Sequence, residues 1–304
     1  MSTVTGPPAS QRKIDRCHRL QHFLDGVGDL RPLLQPEQLA ARLNALDQLD
    51  AILGDQYSEA SKTCSDPAIL AHANALRSQL EAANETLYRA ARSEIALHGT
   101  SPAMHRWLRK LAKDAGRPRP GLSFDLLDEV VSDILRFRGP EKAGPLQSSE
   151  MVPYQPTPVR HILHLIAACR FSSDDILVDL GSGLGHVPLL VSILTGIRTL
   201  GVELQQDYVA SAQEAARNLN LRLVRFAAED ARTTDLSSGT VFYMFTPFTG
   251  SILADVLDRL RQQSKKRPIR ICTLGPCTRT LQNCPWLAAG KQTHAERIAV
   301  FHSR

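Results

Sequence analysis

Between residues 176 and 191 the chain reads ILVDLGSGLGHVPLLV, with a carboxylate, Asp179, just ahead of three glycines at alternate positions, Gly181, Gly183 and Gly185. Glycine lets backbone approach a ligand closely and adopt left-handed conformations closed to other residues. Two phosphate-binding turns compete for such a stretch. A dinucleotide turn needs G-x-G-x-x-G, and counted from Gly181 the third glycine falls at His186, so that pattern fails. A phosphate loop closes on Gly-Lys-Ser/Thr, which this turn lacks. What stands is D-x-G-x-G-x-G: an acid, room for a ligand, and no fixed cation. A tight strand-to-helix turn without a ligand is the plainer alternative. Two more acidic points follow the next apolar runs, Glu203 in GVEL and the adjacent pair Glu229–Asp230 in AAEDAR. A carboxylate accepts two hydroxyl hydrogen bonds at once, so Glu203 suits a ribose. Nicotinamide enzymes use the same device, so Glu203 alone does not choose among adenosine-containing ligands.

The elements that must carry these acids are β-rich runs at 176–180, 198–204, 221–226, 240–245, 269–274 and 297–303, separated by helical stretches such as QDYVASAQEAARNLN and GSILADVLDRLRQQS. Steady strand–helix alternation predicts an α/β domain, a doubly wound and mostly parallel sheet with helices on both faces. In such sheets ligands sit beyond the carboxyl ends of the strands, where all three acidic points fall. The first 140 residues have a different period. Leu39, Leu43, Leu46, Leu49 and Leu53 form a helical stripe ahead of Gly54, and Asp66-Pro67 and Ser101-Pro102 each pair an N-cap with proline at the first helical position. A further helix, FDLLDEVVSDILRF, stops before Gly139-Pro140. The expected organisation is an all-α domain over 1–140, bundle-like, a linker at 141–150, and the α/β domain over 151–304.

The net charge is +5 with a pI near 9.0, which permits a polyanionic partner without requiring one. Arg106, Arg109, Lys110, Lys113, Arg117 and Arg119 form one basic cluster, and Lys265, Lys266 and Arg267 another. Aromatic residues to stack bases make up only 5%, so a nucleic-acid partner is not favoured over solvated surface. No run nears the ~18 apolar residues of a membrane span, and the amino terminus has no apolar core of a secretory signal. The six cysteines contain no C-x-x-C pair and predict free thiols in a reducing cytoplasm, with no metal site.

D-x-G-x-G-x-G after a first strand resembles motif I of the class I S-adenosylmethionine-dependent methyltransferases, and the resemblance spans roughly residues 151–304. It implies the seven-stranded-type sheet of that family and S-adenosyl-L-methionine as cofactor. The glycine backbone would approach the methionine part, Asp179 would contact its amino group, and Glu203 would accept the ribose hydroxyls. Asp230 would accept from the adenine amine, with Glu229 as rival, and the Ala231 amide would meet a ring nitrogen. Ser182, Leu204 and Thr246 complete the implied cofactor-binding set. In VPYQPTPVRHIL, Tyr154, Gln155 and Thr157 would cover the methionine end and Arg160 would pair its carboxylate. LVDLGSGLGHVPLLVSILTGIRTLGVEL is also similar to the non-SET histone-lysine methyltransferases, though the paired asparagines of that family's fourth strand are missing.

The fourth strand ends in Thr246-Pro247-Phe248, where enzymes that methylate base or glutamine amines carry N/D-P-P-Y. A threonine cannot replace both hydrogen-bonding functions of an asparagine amide, which demotes base-amine methylation. Phe248 would wall the acceptor or pack under a loop. His186 opens a helix whose dipole disfavours its charged form, and no catalytic base is named. The expected activity is methyl transfer from S-adenosylmethionine to an oxygen or nitrogen of a small molecule or protein side chain. A nicotinamide-dependent reductase and a non-catalytic cofactor-binding module are the alternatives.

Overall fold

The computed structural model of the chain describes residues 9–53, 66–114, 125–137, 148–290 and 294–304. Gly54, Arg117, Arg119, the Gly139-Pro140 stop and most of the expected linker lie outside the described residues. The chain divides into two compact units, Met1–Arg89 and Ala90–Arg304, and the division falls within a helix.

The first unit holds α1 (Ala9–Val27), α2 (Leu39–Leu53) and most of α3 (Pro67–His98). Asp66 starts α3 as the sequence predicts, its carboxylate accepting the Ala68 and Ile69 N–H groups at 2.9 and 3.3 Å. Leu20, Leu24, Leu49, Ala73, Leu76 and Leu80 make the core. One charge is sealed in this unit. Arg42 is fully buried, donating to Asn84 Oδ1 at 2.7 Å and to the carbonyls of Leu33 and Gln35. Two of its acceptors are backbone carbonyls of the loop before α2, so its guanidinium ties that loop to α3. Arg42→Ala should lower the unfolding free energy by about 1–3 kcal/mol, because the buried Asn84 side-chain oxygen loses its donor and carries a desolvation penalty. Urea unfolding of the full chain checks this, and an unchanged midpoint would refute it.

The second unit continues with α4 (Pro102–Asp114), α5 (Leu126–Leu135) and α6 (Val159–Cys169). Ser101 Oγ accepts the Met104 N–H at 3.0 Å and starts α4. An Asp125–Asp128 capping box starts α5, which ends two residues before the expected Phe137 because Arg136 turns left-handed at φ 49°. A seven-stranded sheet follows, from β1 (Ile176–Leu180), β2 (Arg198–Glu203), β3 (Val224–Ala228), β4 (Val241–Met244), β5 (Arg270–Thr273), β6 (Leu287–Ala289) and β7 (Ala299–Ser303). The intervening helices are α7 (His186–Thr195), α8 (Gln206–Asn218), α9 (Gly250–Ser264) and α10 (Cys277–Gln282).

The strands lie in the order β3-β2-β1-β4-β5-β7-β6. β1 to β5 are parallel, and β7 runs antiparallel to both β5 and β6. From β1 the chain moves outward to β2 and β3, then returns to place β4 on the other side. That reversal opens a crevice at the carboxyl ends of β1 and β4, the place such sheets bind ligands. Val178, Leu180, Val202, Phe242, Met244 and Phe301 fill the sheet's core. Val187 to Leu194 of α7 are all buried, as expected of a helix apolar on every side.

Two cysteine expectations part company. Cys169, Cys272, Cys277 and Cys284 are free thiols. Cys17, in contrast, is disulfide-bonded, which corrects the expectation that all six are free. Among the described residues no helix is long and apolar enough to cross a membrane.

Candidate functional site: the glycine turn and its acids

β1 delivers Asp179 and Leu180 to the crevice, and the three glycines take φ values of +82°, +50° and +82°. A Cβ at Gly181 would overlap Pro247, one at Gly183 the Tyr154 ring, and one at Gly185 the Phe226 ring. The glycines thus let three neighbouring segments close onto the turn. Four of its amides are engaged: Gly181 and Ser182 donate to Val202 O, Gly183 to Glu203 Oε2 at 2.9 Å, and Gly185 to Ser182 O. A phosphate cradle needs free N–H groups pointing at its ligand, and these four have none to offer.

It offers negative charge instead. Asp179 is 4% exposed, and burial followed by the nearby Glu203 charge pushes its carboxyl well above the ordinary range. Neither acid forms an ion pair among the described residues. A buried acid beside a second acid is stabilised by a cation, so the site fits a ligand carrying positive charge. Glu203 uses one oxygen on Gly183 N–H and the other on Gln205 N–H at 3.0 Å. Each oxygen keeps a second lone pair, as ribose hydroxyls would require.

The segment from 148 to 158 forms a strap fastened at both ends. Met151 bridges Phe248, and Val152 N–H donates to the Pro247 carbonyl at 3.0 Å. The Glu150 carboxylate accepts the Ser251 and Ile252 N–H groups at 3.0 and 3.1 Å. It thereby caps α9, whose own Thr249 makes no side-chain cap. At the far end Asp128 accepts Val159 N–H at 2.7 Å and Asp125 N–H at 2.8 Å. Burial pushes Asp128 up to about 6. Between these anchors Tyr154 lies over Gly183, tilted against Tyr208 with ring centroids 4.9 Å apart, its Oη 3.1 Å from His186 Nδ1. Burial lowers His186 to about 4, so the imidazole is neutral at pH 7. Phe137 packs on its other side at 4.0 Å.

Several residues sit differently from their expected use. Thr157 is buried with its hydroxyl 3.1 Å from Tyr243 Oη on β4, a partner the sequence reading missed. Arg160, expected on a ligand carboxylate, pairs with Asp125 at 3.3 Å; the acid of the helix cap lies within reach and claims it. Asp230 accepts from Arg232 on both oxygens, Nη2 on Oδ2 at 2.7 Å and Nε on Oδ1 at 3.1 Å, and that guanidinium holds its carboxyl below the usual range. Glu229 is exposed, with its N–H on the Glu203 carbonyl at 3.1 Å. Ala231 is buried, and Leu204 lies between Glu203 and the start of α8. Thr246 has a left-handed φ of 39°, a strained geometry for a β-branched residue. Its hydroxyl donates to Leu274 O and accepts Cys277 N–H, both at 3.2 Å. Tyr208, Phe137 and Glu150 carried no signal of spacing. They act from a helix, a helix exit and a strap that converge only in space.

Residues 148–241, from the strap to the start of β4, match the family model described as histone methylation protein DOT1. Among solved structures, an RNA methyltransferase from Salinibacter ruber bound to S-adenosyl-L-homocysteine is 23% identical over 49% of this chain and 92% of its own, with a TM-score of 0.39. A S-adenosylmethionine-dependent methyltransferase from Geobacter sulfurreducens, bound to the same product, is 22% identical over 41% and 48%, with a TM-score of 0.32. TrmN from Thermus thermophilus is 17% identical over 46% and 47%, with a TM-score of 0.36. No protein of curated function matches. The sheet order and the acid-led glycine turn give the second unit the fold of class I methyltransferases, and the family match over 148–241 makes that part of the chain similar to a methyltransferase family.

Proposed function

We propose that the chain transfers a methyl group from S-adenosylmethionine to an oxygen or nitrogen of a protein side chain or small molecule, rather than to the exocyclic amine of a base. The observation that carries this is the state of the Thr246-Pro247-Phe248 turn. An exocyclic amine needs two acceptors there, a side chain and a carbonyl. Thr246 Oγ is buried and already serves Leu274 and Cys277, and the Pro247 carbonyl spends one of its two lone pairs on Val152. The match to a family described by histone methylation favours a protein acceptor.

When bound, the cofactor supplies an activated methyl on a sulfonium, so the protein's task is alignment, worth up to ~7–11 kcal/mol. Asp179 would hold the ammonium, Glu203 the ribose hydroxyls, and Asp230 with the Ala231 amide the adenine edge. Tyr154 shields the turn from water and is oriented by His186. The helical residues over 1–140 would select the substrate.

Labelled methyl transfer into a cell extract, separated into protein, RNA and small molecules, tests the reading. Label is expected in protein or small molecules. Label confined to RNA would overturn the acceptor class, and no binding of S-adenosylhomocysteine by calorimetry would overturn the cofactor.

A further inference from the structure

We infer that the exposed edge of the sheet, between β3 and the end of α8, is a docking groove for an extended acidic peptide. The groove encloses about 490 Å³. Its rim carries Arg217, Arg222 and Arg225, all exposed, and its floor is apolar, built from Leu221, Val224 and Phe226. None of the three arginines forms an ion pair among the described residues. Three guanidinium groups around one cleft, without a carboxylate among them, repel one another and favour an anionic occupant. Arginine binds carboxylates through paired N–H donors.

The backbone supports a peptide over a nucleic acid. β3 is the terminal strand. Thr199 N–H donates to Leu223 O, and Thr199 stands opposite Val224, so Leu223 and Arg225 turn their polar groups to β2. Val224 and Phe226 therefore turn theirs outward. Gln213 Nε2 takes the Phe226 carbonyl at 3.2 Å, which leaves the outward N–H and carbonyl of Val224, 7% exposed at the groove floor, as the main-chain groups that an extended peptide would meet. Base binding needs an open aromatic face. The one aromatic lining the groove, Phe226, is 9% exposed and packs its ring on Gly185 and Gly201. That contact also sets the groove against the back of the glycine turn. The site does not depend on the acceptor proposed above.

Fluorescence anisotropy of the full chain with a short labelled peptide alternating Glu and Val provides the test, with a Lys–Val peptide and a uridine oligonucleotide as comparators. The acidic peptide should bind saturably and more weakly as salt rises. R222E/R225E should weaken it by ~10-fold or more, as expected when charge pairs at an interface are reversed. K265E/K266E should leave it unchanged. Unaltered binding of S-adenosylhomocysteine verifies that the variants are folded, and R222Q/R225Q gives the same reading if charge reversal disturbs folding. No saturable binding, equal loss in both charge-reversal variants, or tighter binding of the oligonucleotide with the same dependence on Arg222 and Arg225 would overturn the proposal.

Discussion

Asp179→Asn is expected to weaken S-adenosylhomocysteine binding about 10- to 100-fold and, in the same protein, to raise the melting temperature of the unliganded chain. Both follow from one carboxylate. In the free protein its pKa is well above the ordinary value because it is buried and faces Glu203. A group whose folded pKa is raised contributes stability below its unfolded pKa and loses it as pH rises through the folded value. The buried carboxyl therefore burdens the empty fold increasingly as pH rises above its unfolded-state value, and an uncharged isostere relieves it. A bound ammonium reverses the balance by favouring the charged form, so binding should release a proton. Affinity should rise with pH up to the free-state pKa and then level. The predicted loss in Asp179→Asn is that of a charged hydrogen bond, about 1–3 kcal/mol. Calorimetry in buffers of different ionisation enthalpy reads the released proton, and thermal melts read the stability. A variant that binds normally, or that melts lower while binding weakly, would show that Asp179 is structural.

Gly183→Ala should be the most damaging of the single-methyl changes at the turn. The residue has φ +50°, its N–H holds Glu203, and an added Cβ would overlap the Tyr154 ring. The left-handed conformation alone costs about 1–2 kcal/mol in a residue with a Cβ. Displacing Tyr154 also breaks its contact with His186. Cofactor affinity is expected to fall at least ~10-fold, which is about 1.4 kcal/mol. If the overlap is the cause, Tyr154→Ala should be less harmful in the Gly183→Ala background than in the natural one. A coupling energy near zero in that double-mutant cycle would assign the loss to backbone strain alone.

The glycine turn and the strands beneath it were legible because both depend on local rules. Alternation of apolar strands with amphipathic helices predicts the sheet, and Asp179 with its three glycines marks the turn. β3 was read three residues early, at 221–226, because LRLVRF alternates well. Asn220 at φ +50° starts a turn through Arg222 and Leu223, leaves Leu223 exposed, and delays the strand to Val224. β6 is three residues long, too short for any period to register. The use of side chains was harder to read than their positions. Arg160 and Thr157 each found a nearer partner, Asp125 and Tyr243, on elements distant in the sequence. No spacing rule reports such meetings, since the fold creates them.

The strap is stitched to the fourth-strand turn through Val152, Met151 and Glu150, and Glu150 closes the amino end of α9. Attempts to redirect this enzyme by grafting a foreign turn at 246–250 would therefore unseat the lid over Gly183 as well. Residues 148–152 and 246–252 form one inheritable block, to be exchanged together or left alone.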